Sequence, residues 1–321
     1  MTVESGSSAA PESILIERLA EGVYAAIAVP GQGSLGNAGI VDLGDQTLVF
    51  DTLRTPRAAM ELSAAAERLT GRRATLVVNS HWHDDHVAGN QVFVPGASII
   101  ATEMTRDLMT SRLVAEYAQD VAELPAILQT LEKRLAVEGD ERAREELGLR
   151  IAENRRYAEA IPSIRVTPPD LTFGREMRLH GKTRTVELWS YGGGHTTSDA
   201  FLYLADERIM FAGDLAFLDY HPWLPDGDPG EWVRIIGEIE RLSLNTVVPG
   251  HGPVTDRRCL TLTREYIETL ERLADEMARS GITPETVTDV PVPTPFDTWS
   301  VAQFAQANMR FVLERRRNRA G

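Results

Sequence analysis

The sequence predicts a mixed α/β fold, in which two strand-rich regions are separated by a helical insertion and followed by further helices. Three observations support this fold class. Short apolar runs alternate with turns at residues 38–101 and again at 185–248. The stretch 103–161 is rich in Glu, Arg, Leu and Ala and nearly free of strand signals, and helical spacing returns at 256–317.

The first strand-rich region has a recognisable order of elements. Two apolar runs flank Gly44-Asp45 and predict a hairpin. One helix is indicated where Ala59, Leu62 and Ala66 recur on a single face. The predicted elements are strands at 38–43, 47–50, 76–79 and 98–101, and a helix at 56–69.

Apolar spacing and helix-start residues also predict the elements of the insertion and of the second half of the chain. A stripe of leucine and isoleucine indicates two or three helices between residues 103 and 161. Asp228-Pro229-Gly230-Glu231 is a strong helix start, with Asp at the N-cap and Pro at the first helical position. The remaining predictions are strands at 185–190, 200–204, 208–212 and 246–248, and helices at 228–242, 256–280 and 298–317. We expect a disordered tail at 1–12 and a single domain at 13–321.

Composition limits the class of protein. Of 321 residues, 43% are apolar and 25% charged, as in ordinary globular proteins. Acidic residues outnumber basic ones by 47 to 33, and the net charge of −14 disfavours nucleic acid as a partner. One cysteine, Cys259, excludes an internal disulfide, and no apolar run is long enough to span a bilayer. With no signal-peptide pattern at the start, a cytoplasmic protein without membrane contact is expected.

Three of the seven histidines lie within residues 81–86. A strand is predicted to end near Ser80, so His81 and His83, two apart in extended backbone, project to the same side. Asp85 and His86 follow in the turn and can reach a second point nearby. Imidazole and carboxylate are ligands suited to Zn²⁺, and also to Fe or Mn.

Three further candidate ligands stand where predicted strands run into glycine-bearing loops. His195 follows three glycines, Asp214 follows Gly213, and His251 lies between two glycines. A rigid scaffold gathers residues that are distant in sequence at such strand ends. The sequence therefore predicts a metal site built from the local cluster and these three residues.

The His-x-His-x-Asp-His segment, followed in order by His195, Asp214 and His251, resembles the metallo-β-lactamase superfamily. The glycine-rich stretch 31–37 and residues 39–52 are similar to the first motif of that family, and the resemblance covers about 22–252. It implies an αββα sandwich, to which the sequence pattern adds the helical insertion and the helical C-terminus. It also implies one metal on His81, His83 and His195, a second on Asp85, His86 and His251, Asp214 as the bridge, and Asp51 supporting the ligands from behind.

A dinuclear centre of this kind implies a metal-dependent hydrolase. Two divalent ions, expected to be Zn²⁺ with Fe or Mn as alternatives, lower the pKa of a shared water and polarise the scissile bond. Asp85 is the expected catalytic residue, as a ligand that also accepts a proton. We expect a small-molecule substrate, and a homodimer is left open.

The residue at position 214 narrows the substrate class. Lactamases of this superfamily that use a thiolate have cysteine there, whereas this chain has Asp214 and resembles hydroxyacylglutathione and N-acyl lactone hydrolases. The loop 215–223 lacks the glycine- and cysteine-containing stretch of the glutathione-thioester enzymes and is more similar to superfamily hydrolases found near sulfur-oxidation and quinoprotein genes. Tyr220, His221 and Trp223 are the candidates for substrate contact. The helical insert is expected to act as a lid, with a dimer surface as the alternative.

Other functions remain open at this point. The principal expectation is hydrolysis of an ester, thioester or lactone. An iron-dependent thiol oxygenase would hold one iron on His81, His83 and Asp214, with His195 as an optional further ligand, but the complete second ligand set argues against it. β-Lactamase or phosphodiesterase activity is a further alternative, and the acidic composition disfavours nucleic-acid substrates.

Overall fold

The first sheet contains seven strands that lie side by side in the order of the chain. They are β1 (Ile14–Ala20), β2 (Val23–Ala28), β3 (Ala38–Asp42), β4 (Thr47–Phe50), β5 (Leu76–Val78), β6 (Ser98–Thr102) and β7 (Leu171–Phe173). The first four pair antiparallel, and β4 to β7 pair parallel. The predicted hairpin is confirmed as β3 and β4, and its turn passes through Gly44 at φ 90°.

The computed structural model describes residues 12–288 and 290–320, so the predicted tail at 1–12 lies outside the described residues except for Glu12. Five strands form the second sheet: β8 (Glu176–His180), β9 (Thr185–Trp189), β10 (Phe201–Leu204), β11 (Ile209–Phe217) and β12 (Thr246–His251). Their spatial order is β12-β11-β10-β9-β8, with β11 and β12 parallel and the other pairs antiparallel. β11 runs five residues beyond its predicted end at 212, so Asp214 lies within the strand.

Helices in the first half are α1 (Pro56–Thr70), α2 (Asp84–Val87) and α3 (Asn90–Phe93). α1 begins where Thr55 Oγ1 caps the amide of Ala58 at 3.3 Å, and it ends at Gly71, whose φ of 73° leaves the helical region. Its apolar face, which includes Ala59 and Leu62, packs on the outer side of the first sheet. The predicted helix at 56–69 is therefore confirmed.

The helical insert occupies the range that the sequence predicts. It consists of α4 (Glu103–Leu108), a π-helical turn (Met109–Leu113), α5 (Val114–Val137), α6 (Glu141–Ala160) and a 3-10 turn (Ile161–Ser163). Leu131, Leu147 and Ile151 pack α5 against α6. Among the described helices, none is both long and apolar enough to cross a membrane.

The outer face of the second sheet is covered by α7 (Pro229–Ile239), α8 (Arg258–Arg279) and α9 (Gln303–Ala320). Asp228 caps α7 as predicted, accepting from the amides of Gly230 and Glu231. Between the two sheets lies a continuous apolar core, in which the rings of Phe50 and Phe211 are 5.9 Å apart. The layers are thus helix, sheet, sheet, helix, which confirms the αββα prediction.

Candidate metal centre

The histidine segment connects β5 to α2 at the carboxyl ends of the parallel strands. His81 is fully buried, and its Nδ1 lies 2.9 Å from Ser80 Oγ, which leaves Nε2 facing the interior of the site. The rings of His81 and His83 are 4.7 Å apart, and His83 Nδ1 lies 3.0 Å from His195 Nε2. The strand end therefore directs both side chains to one point, as their spacing predicts.

The first ligand group comprises His81, His83, His195 and Asp214, which offer ligand atoms within 4.8 Å of one another. His195 is carried by the loop between β9 and β10, and its Nε2 lies 3.3 Å from Asp214 Oδ2. The pairing of β11 with β12 is irregular around Gly213, whose φ is 53°. This irregularity turns the next side chain, Asp214, into the site.

The second ligand group comprises Asp85, His86 and His251. Asp85 Oδ2 lies 3.4 Å from His86 Nε2 and 3.2 Å from His251 Nε2. Asp214 also borders this group, because its Oδ1 is 3.1 Å from His86 Nε2 and its Oδ2 is 3.4 Å from His251 Nε2. Asp214 therefore stands between the two groups, where a bridging ligand would have to stand.

Unpartnered polar atoms test whether metal ions fit these groups. Among the described residues, His81 Nε2, His86 Nε2 and Asp214 Oδ1 are buried and form no hydrogen bond of acceptable geometry, although the last two atoms are 3.1 Å apart. A buried polar atom left without a partner costs about 1–3 kcal/mol. Metal coordination would satisfy all three atoms, and the imidazole and carboxylate donors suit Zn²⁺, Fe or Mn. The side chains therefore fit the ions.

Charge in the site favours cations. Burial alone would raise the pKa of Asp214, but His251, His86 and His195 hold it well below its usual range. Conversely, burial would lower the pKa of His251, while Asp214 and Asp85 raise it to about 9. Asp85 and Asp214 thus attract protons to His86 and His251, and a metal ion that binds there must displace those protons.

Asp51 holds the ring of His86 in place by binding the ring nitrogen that faces away from the second ligand group. It is fully buried, and its Oδ2 accepts hydrogen bonds from His86 Nδ1 at 2.8 Å and from Ser80 Oγ at 2.8 Å. Its Oδ1 accepts the Ser80 amide at 2.7 Å. Because His86 Nδ1 donates to Asp51, the lone pair of Nε2 is left for a metal. This is the kind of contact expected for the supporting role.

Two buried or half-buried carboxylates at the site were not predicted from the sequence. Asp226 Oδ2 accepts from His83 Nε2 at 3.1 Å. Asp199 accepts from the amides of Gly194 and Thr196 at 2.9 and 3.0 Å, and so holds the loop that carries His195. Neither belongs to a strand-end pattern. A possible signal for Asp226 is its place in the turn just before the Asp228 cap.

The three substrate-contact candidates occupy different surroundings. The ring of Tyr220 lies 5.9 Å from that of His251, beside the second ligand group. Trp223 Nε1 donates to Asp226 Oδ2 at 2.9 Å. His221 is buried, its Nδ1 lies 2.9 Å from Tyr266 Oη, and its ring packs on Tyr266. These contacts favour Tyr220 and Trp223 as candidates and favour a packing role for His221.

Solved structures with a similar fold include metallo-beta-lactamases. One from Pontibacter korlensis aligns with a TM-score of 0.58 at 18% identity, covering 79% of this chain and 99% of the other. The DIM-1 metallo-beta-lactamase aligns with a TM-score of 0.56 at 20% identity, covering 81% of this chain and 98% of the other. At these identities the likeness concerns the fold.

Sequence comparison gives the family. A beta-lactamase-like protein 2 homolog from Caenorhabditis elegans is 27% identical over 132 residues, which are 38% of this chain. The match spans 41% of the length of that relative. The model of the metallo-beta-lactamase superfamily matches residues 31–251, which include both ligand groups and Asp51. This chain therefore belongs to the metallo-beta-lactamase superfamily.

Proposed function

We propose that this protein is a dinuclear metal-dependent hydrolase that cleaves an ester, thioester or lactone of a small organic molecule. The observation that carries the proposal is the pair of buried ligand groups that meet at Asp214. Two divalent ions bound there, with zinc favoured over iron or manganese, would supply Lewis acidity and an activated water at neutral pH.

Asp85 is the proposed proton acceptor. Burial would raise its pKa, but His86 and His251 hold the pKa well below its usual range, so the carboxylate is ionised at neutral pH. Asp85, Asp214 and His251 are 6%, 5% and 9% exposed, whereas His81, His86 and His195 are fully buried. Asp85, Asp214 and His251 are thus slightly less buried than those three histidines, and His83 is the most exposed ligand, with 15% of its side chain accessible.

The substrate class is inferred from the residue at position 214 and from the aromatic side chains near the ligand groups. An oxygen ligand, Asp214, stands where the thiolate-using lactamases have cysteine, which favours esters, thioesters and lactones over β-lactams. Tyr220 and Trp223 provide ring surface beside the site for a small organic acyl or leaving group. We further propose a cytoplasmic location with no nucleic-acid or membrane partner, which fits the net charge of −14 and the single, buried Cys259.

The test is a comparison of substrates and of variants. The protein is loaded with zinc, iron or manganese and assayed on thioesters, lactones, β-lactams and simple phosphodiesters. We expect the zinc form to hydrolyse a thioester or lactone, and Asp85→Asn to lower kcat roughly 100-fold or more, as loss of a general base does. Asp206→Asn, an exposed aspartate, is the matched control and should leave kcat unchanged.

Metal content gives a second readout. His81→Ala should lose about one of two bound metal equivalents, while the exposed His180→Ala should keep both. Retention of both metals by His81→Ala, or full turnover by Asp85→Asn, would refute the assignment of these residues. Oxygen consumption by the iron form without any hydrolysis would instead support the thiol-oxygenase alternative.

A further inference from the structure

Asp226 connects the metal centre to the helical insert. Its Oδ2 accepts hydrogen bonds from His83 Nε2 at 3.1 Å and from Trp223 Nε1 at 2.9 Å, and its Oδ1 forms an ion pair with Arg112. Both oxygens are therefore engaged. Because His83 donates through Nε2, its Nδ1 keeps a lone pair directed at the first ligand group.

Arg112 reaches this carboxylate from the π-helical turn of the insert. The turn is anchored because Met109 and Leu113, which are 0% and 1% exposed, pack in one apolar cluster with Trp82 and Val87. π-Helical turns occur frequently at functional sites. The π-helical turn therefore packs directly on Trp82 and Val87, which lie next to the ligands His81, His83 and His86 in the sequence.

Arg112 also contacts the histidine segment directly. Its guanidinium lies over the ring of Trp82, 4.5 Å from the centroid, and Trp82 stands between His81 and His83. Arg112 Nε donates to Glu116 Oε1 at 2.9 Å, which holds the side chain along the helix. The same guanidinium thus touches the segment on one side and, through Asp226, the ring of His83 on the other.

Loss of the Arg112 side chain would remove the ion pair at Oδ1 of Asp226. Asp226 is carried by the loop before α7, and the side chain is 12% exposed. Without the ion pair, the carboxylate can turn toward solvent, and the hydrogen bond that orients His83 weakens. Partners that orient a ligating histidine in this way typically change metal affinity by about 10- to 100-fold.

We propose that Arg112 is a positioning residue, through which the helical insert aligns Asp226 and His83 and thereby sets how tightly the first ligand group holds its metal. The inference rests on the proposed dinuclear centre. It assigns the insert a part in metal retention.

The test measures metal loss from the zinc-loaded protein to a chelator, independently of turnover. Arg112→Gln should release one zinc equivalent roughly 10-fold faster than the wild type. With cobalt in place of zinc, the visible absorption of the bound ion should shift. The control is Arg155→Gln, which removes an exposed ion pair to Glu132 within the insert and should leave zinc release unchanged.

A double-mutant cycle separates this role from a general loss of structure. If Arg112 acts through Asp226, the double variant Arg112→Gln/Asp226→Asn should lose zinc no faster than Asp226→Asn alone. Multiplicative losses, or wild-type zinc release in Arg112→Gln, would overturn the inference. The two proposals can fail separately. If Arg112→Gln speeds zinc release but the protein cleaves none of the tested substrates, the proposed substrate class is refuted and the role of Arg112 is not.

Discussion

The histidines of this chain differ in what their ring nitrogens contact. The ligand-group histidines each present one nitrogen to a carboxylate or to another histidine of the site. His180 is exposed at the end of β8, beside a hairpin turn. His221 is buried among Tyr266 and Trp299, outside both ligand groups. A buried neutral imidazole of this kind makes stability depend on pH.

His221 should destabilise the protein as the medium is acidified. Burial lowers the pKa of His221 from 6.5 to about 4. Between those values the unfolded chain binds a proton that the folded chain does not, so the free energy of unfolding falls as pH falls. The limiting slope for one such group is about 1.4 kcal/mol per pH unit.

This dependence is measured by urea unfolding of metal-free protein between pH 6.5 and 4.5. His221→Gln should flatten the fall in the free energy of unfolding relative to the wild type, whatever its stability at neutral pH. The control is His180→Gln, which removes an exposed histidine instead of a buried one. An unchanged slope in His221→Gln would show that His221 is protonated in the folded state.

Prediction of single residues from the sequence succeeded where position follows from local geometry. His81, His83, Asp85 and His86 lie within one turn after a strand, so their proximity follows from the spacing. Asp226 contacts His83 across 143 positions of sequence. That contact depends on where a loop meets the insert, which no periodicity encodes.

At the scale of elements, the close approach of β11 and β12 makes glycine necessary. A Cβ on Gly250 would overlap Asp214 Oδ1 and lie 2.8 Å from the carbonyl carbon of Gly213. Gly250→Ala should therefore displace Asp214 and reduce bound zinc below two equivalents. The measurement is metal content after loading and desalting.

The control for this variant is Gly237→Ala. Gly237 lies within α7, and a Cβ there meets nothing within 4 Å. Alanine is favoured over glycine in a helix by about 0.5–1 kcal/mol. Gly237→Ala should bind two zinc equivalents and unfold at slightly higher temperature. Full zinc binding by Gly250→Ala as well would show that the two strands can separate without loss of the site.

Helices and strands whose apolar residues recur at regular spacing were predictable from the sequence. Short strands and strands rich in polar residues were not. The helix at 56–70 and the hairpin at 38–50 follow their apolar spacing closely. β7 has three residues, and β8 alternates charged and apolar residues at an edge of its sheet, so neither has the composition of a buried strand. β1 and β2 were likewise not anticipated, since alanine supplies half of β2.

At the scale of the whole molecule, the family resemblance predicted the layered fold and the composition of 103–161 predicted the helical insert, while the role of the insert as a lid or a dimer surface was left open. The structure joins the insert to the loop at 31–33, because Gly33 donates to Glu153 at 2.9 Å and Arg156 donates to the carbonyl of Gly31 at 2.9 Å. Glu146 also accepts the amide of Val301 at 2.9 Å. These contacts attach the insert to the loop at 31–33 and to the segment just before α9.

Metal binding should stabilise the entire fold, because the ligands come from both sheets. Asp85 and His86 follow a strand of the first sheet, Asp214 and His251 belong to the second, and only the folded chain brings them together. A ligand that binds only the folded state at 1,000 times its Kd adds about 4 kcal/mol to the free energy of unfolding. Zinc should also reduce the electrostatic repulsion between the carboxylates of Asp85 and Asp214. Without a metal, only protonated histidines balance these two negative charges.

Thermal unfolding of the protein with zinc and with excess chelator measures this effect. We expect the midpoint to fall by several degrees when zinc is removed, since 1 kcal/mol corresponds to about 2–4 °C for proteins of 150–250 residues and to somewhat less for a longer chain. In His81→Ala the difference between the two conditions should shrink, because the first ligand group is incomplete, whereas in His180→Ala it should match the wild type. Equal midpoints with and without zinc would mean that the folded protein does not bind zinc in preference to the unfolded chain, which would refute the proposed metal centre.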